Sequence, residues 1–226
     1  ERPLPGARVR AGWRLTQSPW GPGLTYAVRN HRLIRNGAEV PFLPSPHVGA
    51  GLVPRWLVLH YTAGTTARGA IDWFLNPDSE VSAHLVLDRD GAVTQMVGFD
   101  RVAWHAGVSA WDGLTGLNRH AIGIEIVNAG RLVRDGRGRW VNWAGEGVAP
   151  EEVVLATHRH ECTEAGWQAF TPAQIEATVG IGLALRRRYD LADVLGHDDI
   201  APGRKVDPGP AFPMPDVRTR ILGPAV

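Results

Sequence analysis

The sequence predicts an α/β fold: a single domain with a central mixed β-sheet flanked by helices, preceded by a Pro/Gly-rich extended N-terminal arm. Three observations carry this. Short apolar runs at residues 56–61, 82–88 and 121–127 read as buried strands. Arg89-Asp90-Gly91 offers a tight turn, because glycine accepts positive φ at little cost, and residues 92–97 then return as a partner strand. Thr171-Pro172-Ala173-Gln174 is a capping box with proline at the first helical position. Strands interleaved with helices form the layered α/β pattern.

Taken in order, residues 1–54 are the predicted arm. They are rich in Pro, Gly and Arg without sustained periodicity, with one short strand or turn expected near His31 to Val40. Trp13, Trp20, Phe42 and Leu43 make the arm too apolar for a mere linker, so it is expected to wrap the domain formed by residues 55–226. Trp56-Leu57-Val58-Leu59-His60-Tyr61 is the first core strand. Thr65 or Thr66 caps a helix over residues 67–75, and Asn76-Pro77 stops it. Residues 121–127 make the strongest strand, apolar on both faces except for Glu125 and therefore central. Residues 153–160 alternate, with His158 and His160 on one face. The capping-box helix runs through Ile175, Val179 and Leu183 to Arg186-Arg187-Arg188, whose charges suit a helix C-terminus.

Composition narrows the class. The 226 residues are 44% hydrophobic and 21% charged, which fits a globular chain rather than a disordered one. A net charge of +1 argues against a nucleic-acid partner, whose binding rests on many phosphate contacts. The single cysteine, Cys162, rules out an intramolecular disulfide framework and any Cys-rich zinc module. No apolar run reaches the roughly 20 residues of a transmembrane helix. The sequence begins at Glu1 rather than Met, so trimming is expected, and cell-envelope and cytoplasmic locations both stay open. A monomer is expected.

Several side chains could carry chemistry. Glu125 is a carboxylate in an otherwise apolar strand: either a structural ion pair or a general base with a raised pKa. His60 ends a strand, where open sheets place ligands. His197 lies in a Gly/Pro-rigid loop, Gly196 to Gly209, with three aspartates and two cations. Two histidines and a carboxylate would suit zinc, leaving a fourth position for water, although spacing alone cannot pair His60 with His197. His158-Arg159-His160-Glu161-Cys162 imitates a metal cluster and is read as a decoy, its histidines facing solvent. Trp73, Trp104 and Trp111 could stack on sugar rings.

Four segments together resemble the type 2 zinc-dependent N-acetylmuramoyl-L-alanine amidases, which are related to peptidoglycan recognition proteins. These are residues 57–62, residues 82–91, residues 103–125 with Trp104-His105-Ala106-Gly107 and Asn118, and residues 196–210. The resemblance implies zinc held by His60, His197 and Asp207, with Asp207 placing the chain in the carboxylate-ligand branch near the anhydromuramyl-peptide amidases. It implies Glu125 as general base and Lys205 as oxyanion stabiliser. It places substrate contacts at Tyr61, Trp104, His105, Ala106, Asn118 and Arg204, with Asp198 or Asp199 orienting a histidine ligand. Ala83 stands where phage relatives carry a catalytic tyrosine, so proton transfer falls to Glu125. Residues 113–118 lack the basic residues of the recycling enzymes, so ordinary muramyl peptides are expected to be cleaved as well as anhydro ones. The implied reaction is hydrolysis of the lactyl–L-alanine amide in peptidoglycan or muropeptides. The alternative is a non-catalytic peptidoglycan-binding module on the same fold.

Overall fold

The computed structural model describes residues 25–224 of the chain. Strands β1 (Tyr26–Arg29), β2 (Arg32–Arg35), β3 (Ala38–Glu39) and β4 (Val48–Gly51) lead into β5 (Trp56–Tyr61) and helix α1 (Ala67–Leu75). Next come β6 (Leu85–Leu87), β7 (Val93–Gln95), β8 (Arg101–Ala103), β9 (Ala110–Trp111), β10 (Leu114–Thr115) and β11 (Ala121–Ile126). Strands β12 (Arg131–Arg134), β13 (Trp140–Val141), β14 (Val153–Thr157) and β15 (Glu164–Gln168) precede α2 (Pro172–Tyr189). The chain closes with β16 (Asp193–Gly196), α3 (His197–Ile200) and α4 (Met214–Leu222).

Five strands form the central sheet in the order β16-β5-β11-β6-β7. The first four run parallel and β7 returns antiparallel to β6, so the sheet is mixed as expected. Strand alternation sorts the side chains onto two faces. Leu57, Leu59, Ile122, Ile124 and Ile126 join a core with Ala177, Ile181 and Leu185 of α2 and Val217 and Ile221 of α4. Each such aliphatic side chain contributes about 1.5–3 kcal/mol on burial. Trp56, Val58 and Ala121 pack on the other face with Leu117, Leu195 and Ile200. By the same alternation His60 and Glu125 belong to that second face.

Both helix starts follow the sequence. The Thr66 side chain accepts a hydrogen bond from the Gly69 backbone N–H at 3.2 Å. Thr171 and Gln174 satisfy each other's backbone N–H groups in the predicted capping box. In the segment expected to be an extended arm, however, residues 26–51 contain four strands. Strands β1, β2 and β3 form a meander, and Leu33, Val40 and Leu52 are buried in the main core. Its second turn is Asn36-Gly37, with both residues at positive φ, the geometry of a tight hairpin. Trp13 and Trp20 lie outside the described residues.

Two further elements departed from expectation. A four-stranded sheet of order β13-β12-β15-β14 stands beside the main one. Its strand β14 stops at Thr157, so His158 follows the strand instead of sharing its face. Helix α4 seats Ile221 against α2, where a side chain at Gly182 would come within 2.3 Å of it.

Candidate metal centre and cleft

The site lies at the C-terminal ends of neighbouring parallel strands, where such sheets open to ligands. His60 is near the end of β5. Glu125, near the end of β11, is its in-register neighbour. On the other side of β5, β16 runs directly into His197. Asp207 is brought back to this point by its loop, its carbonyl accepting from the Asp198 N–H at 2.9 Å.

His60, His197 and Asp207 converge. The Nδ1 atoms of His60 and His197 are 2.9 Å apart, and Asp207 Oδ2 lies 3.0 Å from each. All three side chains are buried. They form a group able to hold a metal ion among the described residues. The donor set fits a cation. His197 Nε2 is 3.1 Å from the Ala106 carbonyl, which can only accept, so the proton belongs on Nε2 and Nδ1 offers a lone pair. Burial, reinforced by the neighbouring His197, pushes His60 down to about 4, so it is neutral at pH 7. A carboxylate oxygen of Asp207 and the Nδ1 atoms of the two imidazoles therefore offer acceptors to one point.

A cleft of about 800 Å³ opens over this cluster, lined also by Tyr61, Trp104, Glu125, Arg204 and Lys205. Glu125 Oε2 is shielded from solvent and has no hydrogen-bond partner. Burial raises its pKa well above the usual value, the Asp207 charge adds to the rise, and Lys205 partly offsets it. No arginine pairs with Glu125 among the described residues, which removes the structural ion-pair alternative.

Several expected substrate contacts have other work. Ala106 is fully buried, and its carbonyl accepts from Arg204 Nη2 at 2.9 Å as well as facing His197. Asn118 Oδ1 accepts from the backbone N–H groups of His105 (3.0 Å) and Ala106 (2.7 Å), so it holds this loop in place. His105 is buried, its ring nitrogens turned to His60 and to the Ala121 carbonyl. Arg204 is engaged with the carbonyls of Ala106 and Val108. Ala83 is fully buried, beneath the cleft rather than in it.

Asp198 does not orient a metal ligand through its carboxylate: it pairs with His158 at 2.9 Å and Arg159 at 2.8 Å. Asp199 caps the Gly196 N–H and also meets Arg159. His158 is thus buried and paired with Asp198, not solvent-facing. Trp111, in β9, packs against the Trp56 cluster and is not among the residues lining the cleft. Trp73 and Trp104 do line it, and so does Trp143, which sequence reasoning missed. Trp143 is 81% exposed, with its indole N–H donated to the Ala63 carbonyl at 2.9 Å. Nothing local marks it, because its place on the rim depends on the second sheet.

Comparison with known proteins agrees with this geometry. Residues 50–210 match the Amidase_2 family, N-acetylmuramoyl-L-alanine amidase. The chain is 33% identical over 177 residues to N-acetylmuramoyl-L-alanine amidase AmiD of Escherichia coli K12, covering 74% of this chain and 53% of that protein. It is 34% identical over 205 residues to 1,6-anhydro-N-acetylmuramyl-L-alanine amidase AmpD of Salmonella typhimurium SL1344, covering 81% and 90%. The matched part spans little more than half of the E. coli relatives, 53% of AmiD and 58% of AmpD. Among solved structures, a selenomethionine AmpD superposes with a TM-score of 0.54 at 28% identity, covering 80% of this chain and 94% of that one. The complex of E. coli AmiD with anhydro-N-acetylmuramic acid-L-Ala-D-gamma-Glu-L-Lys gives 0.55 at 27%, covering 88% and 66%. A family match over most of the chain, and a relative one-third identical over four-fifths of it, make this chain a member of the N-acetylmuramoyl-L-alanine amidase family.

Proposed function

We propose that this protein is a zinc-dependent N-acetylmuramoyl-L-alanine amidase that hydrolyses the amide between the lactyl group of N-acetylmuramic acid and L-alanine. The observation that carries the reading is the convergence of His60, His197 and Asp207 beside a carboxylate, Glu125, that has a raised pKa and an unpartnered oxygen. The family and the substrate in the AmiD complex support the substrate class. His60, His197 and Asp207 would hold the zinc, which would supply a Lewis acid for the amide carbonyl and would ease loss of a proton from the attacking water.

Glu125 removes the proton of the attacking water and delivers it to the departing amine. Burial makes this carboxylate a stronger base toward the water proton than an ordinary glutamate. Lys205 brings a cation to the carbonyl oxygen as negative charge develops there. Tyr61 and Trp104 border the reacting bond from the cleft wall. The catalytic residues all lie within residues 55–226, with the strands of residues 26–51 packed into the same core, and the protein acts as a monomer. Retention of all three ligands together with Glu125 and Lys205 favours catalysis over a binding-only module.

Incubation of the zinc-loaded protein with a muramyl peptide, followed by mass spectrometry, tests this. The expected products are the free stem peptide and the intact muramic acid. In His197→Ala the metal content should collapse along with turnover. Full zinc retention in that variant would remove His197 from the ligand set.

A further inference from the structure

We propose that His105 is a positioning residue for the metal centre: through a one-directional chain of hydrogen bonds it fixes the tautomer of His60 that presents Nδ1 to the metal. The inference rests on the metal-site reading above and concerns a histidine that touches neither metal nor reacting bond. The chain begins at the backbone. Ala121 carbonyl oxygen lies 3.2 Å from His105 Nε2. A carbonyl can only accept, so His105 carries its proton on Nε2 and leaves Nδ1 as an acceptor. That Nδ1 is 3.0 Å from His60 Nε2. The proton in that contact therefore sits on His60 Nε2, which leaves His60 Nδ1 as the atom that faces His197 and Asp207. The reverse order would set a lone pair of His105 against the Ala121 carbonyl, a buried mismatch between two acceptors.

The surroundings hold His105 in this pose. Its backbone N–H is taken by Asn118 Oδ1 at 3.0 Å. Its ring lies over Gly123, where a Cβ would come within 2.5 Å of the ring. Gly123 is itself pinned, donating its N–H to His84 Nδ1 at 3.0 Å, while His84 Nε2 donates to the Arg101 carbonyl at 2.9 Å. His84 and His105 rings meet edge to face at 5.8 Å. The Ser82-Ala83-His84 segment, the Trp104-His105 loop, Asn118 and Gly123 thus serve one end, which is the orientation of His60. The three cluster atoms are no more than 3.0 Å apart, so a His60 ring presenting an N–H there would block a cation.

Zinc affinity by chelator competition tests this on the full chain. Leucine at 105 keeps comparable bulk without an acceptor, whereas asparagine returns an acceptor close to the Nδ1 position. His105→Leu should bind zinc about 10- to 100-fold more weakly than the parent, the usual cost of losing such an outer partner. His105→Asn should recover most of that affinity. Equal affinity in His105→Leu and the parent would overturn the proposal. So would equal weakening in both variants, which would mean that only packing matters. Should either variant fail to fold, nitrogen NMR of the histidine rings in the parent decides: a proton on His105 Nε2 supports the relay and one on Nδ1 refutes it. A parent that binds no zinc would instead overturn the metal site, with the tautomer still readable.

Discussion

Glu125→Gln should separate catalysis from stability. The substitution keeps the shape of the side chain and removes its charge. Turnover should fall by about 10²- to 10⁴-fold, the usual worth of a positioned general base. Metal-free stability should move the other way. Glu125 is shielded, has an oxygen without a partner and faces the charge of Asp207. Its pKa is raised in the folded protein, so above the ordinary glutamate range the native state holds a proton that the unfolded chain has released. Stability therefore falls as pH rises. Glutamine keeps an unpartnered polar atom but escapes that charge penalty, so each kcal/mol of the penalty appears as a rise in Tm of roughly 2–4 °C at pH 8, shrinking toward pH 5. Thermal unfolding in the presence of chelator, at several pH values, measures it. A variant less stable than the parent at pH 8, or one that keeps wild-type turnover, would refute the assignment of Glu125 as a sheltered base.

Lys205→Ala should retain zinc and lose about 10²- to 10³-fold in kcat, the scale of one oxyanion donor; steady-state kinetics on a muramyl peptide reads it, and loss of metal would place Lys205 in the ligand set instead. His60 and His84 are both held at about 4 by burial, so the unfolded chain binds more protons than the native one between there and about 6.5. The metal-free protein should accordingly lose stability on acidification through that window, seen as a falling denaturation midpoint, and a flat profile would contradict their buried neutral state. Matched anhydro and ordinary muramyl peptides should both be cleaved; an anhydro preference above about 100-fold in kcat/KM, roughly 2.7 kcal/mol, would refute the reading taken from residues 113–118.

The sequence by itself determined the local elements and the chemical inventory. Strands β5 and β11, both helix caps and the mixed sheet follow from apolar runs, a capping box and a Gly turn, because these are short-range preferences. Spacing could not pair His60 with His197; resemblance nominated the pair, and the register of β5 beside β11 and β16 brings the strand ends together. What only the tertiary structure decided was who faces whom. Of the meander of residues 26–39 the sequence predicted only one short strand or turn near His31 to Val40, where β2, the Asn36-Gly37 turn and β3 lie, because its strands are too short for a periodic signal. Trp143 reaches the cleft through a second sheet, and Arg204, which lines that cleft, and Asn118 both hydrogen-bond to backbone groups of the residue 105–108 loop. His105 shows the reason most plainly. Its role depends on a carbonyl 16 residues further along the chain and on a glycine that leaves room for its ring. Periodicity records whether a side chain is buried, whereas a hydrogen bond's direction depends on the partner that folding supplies.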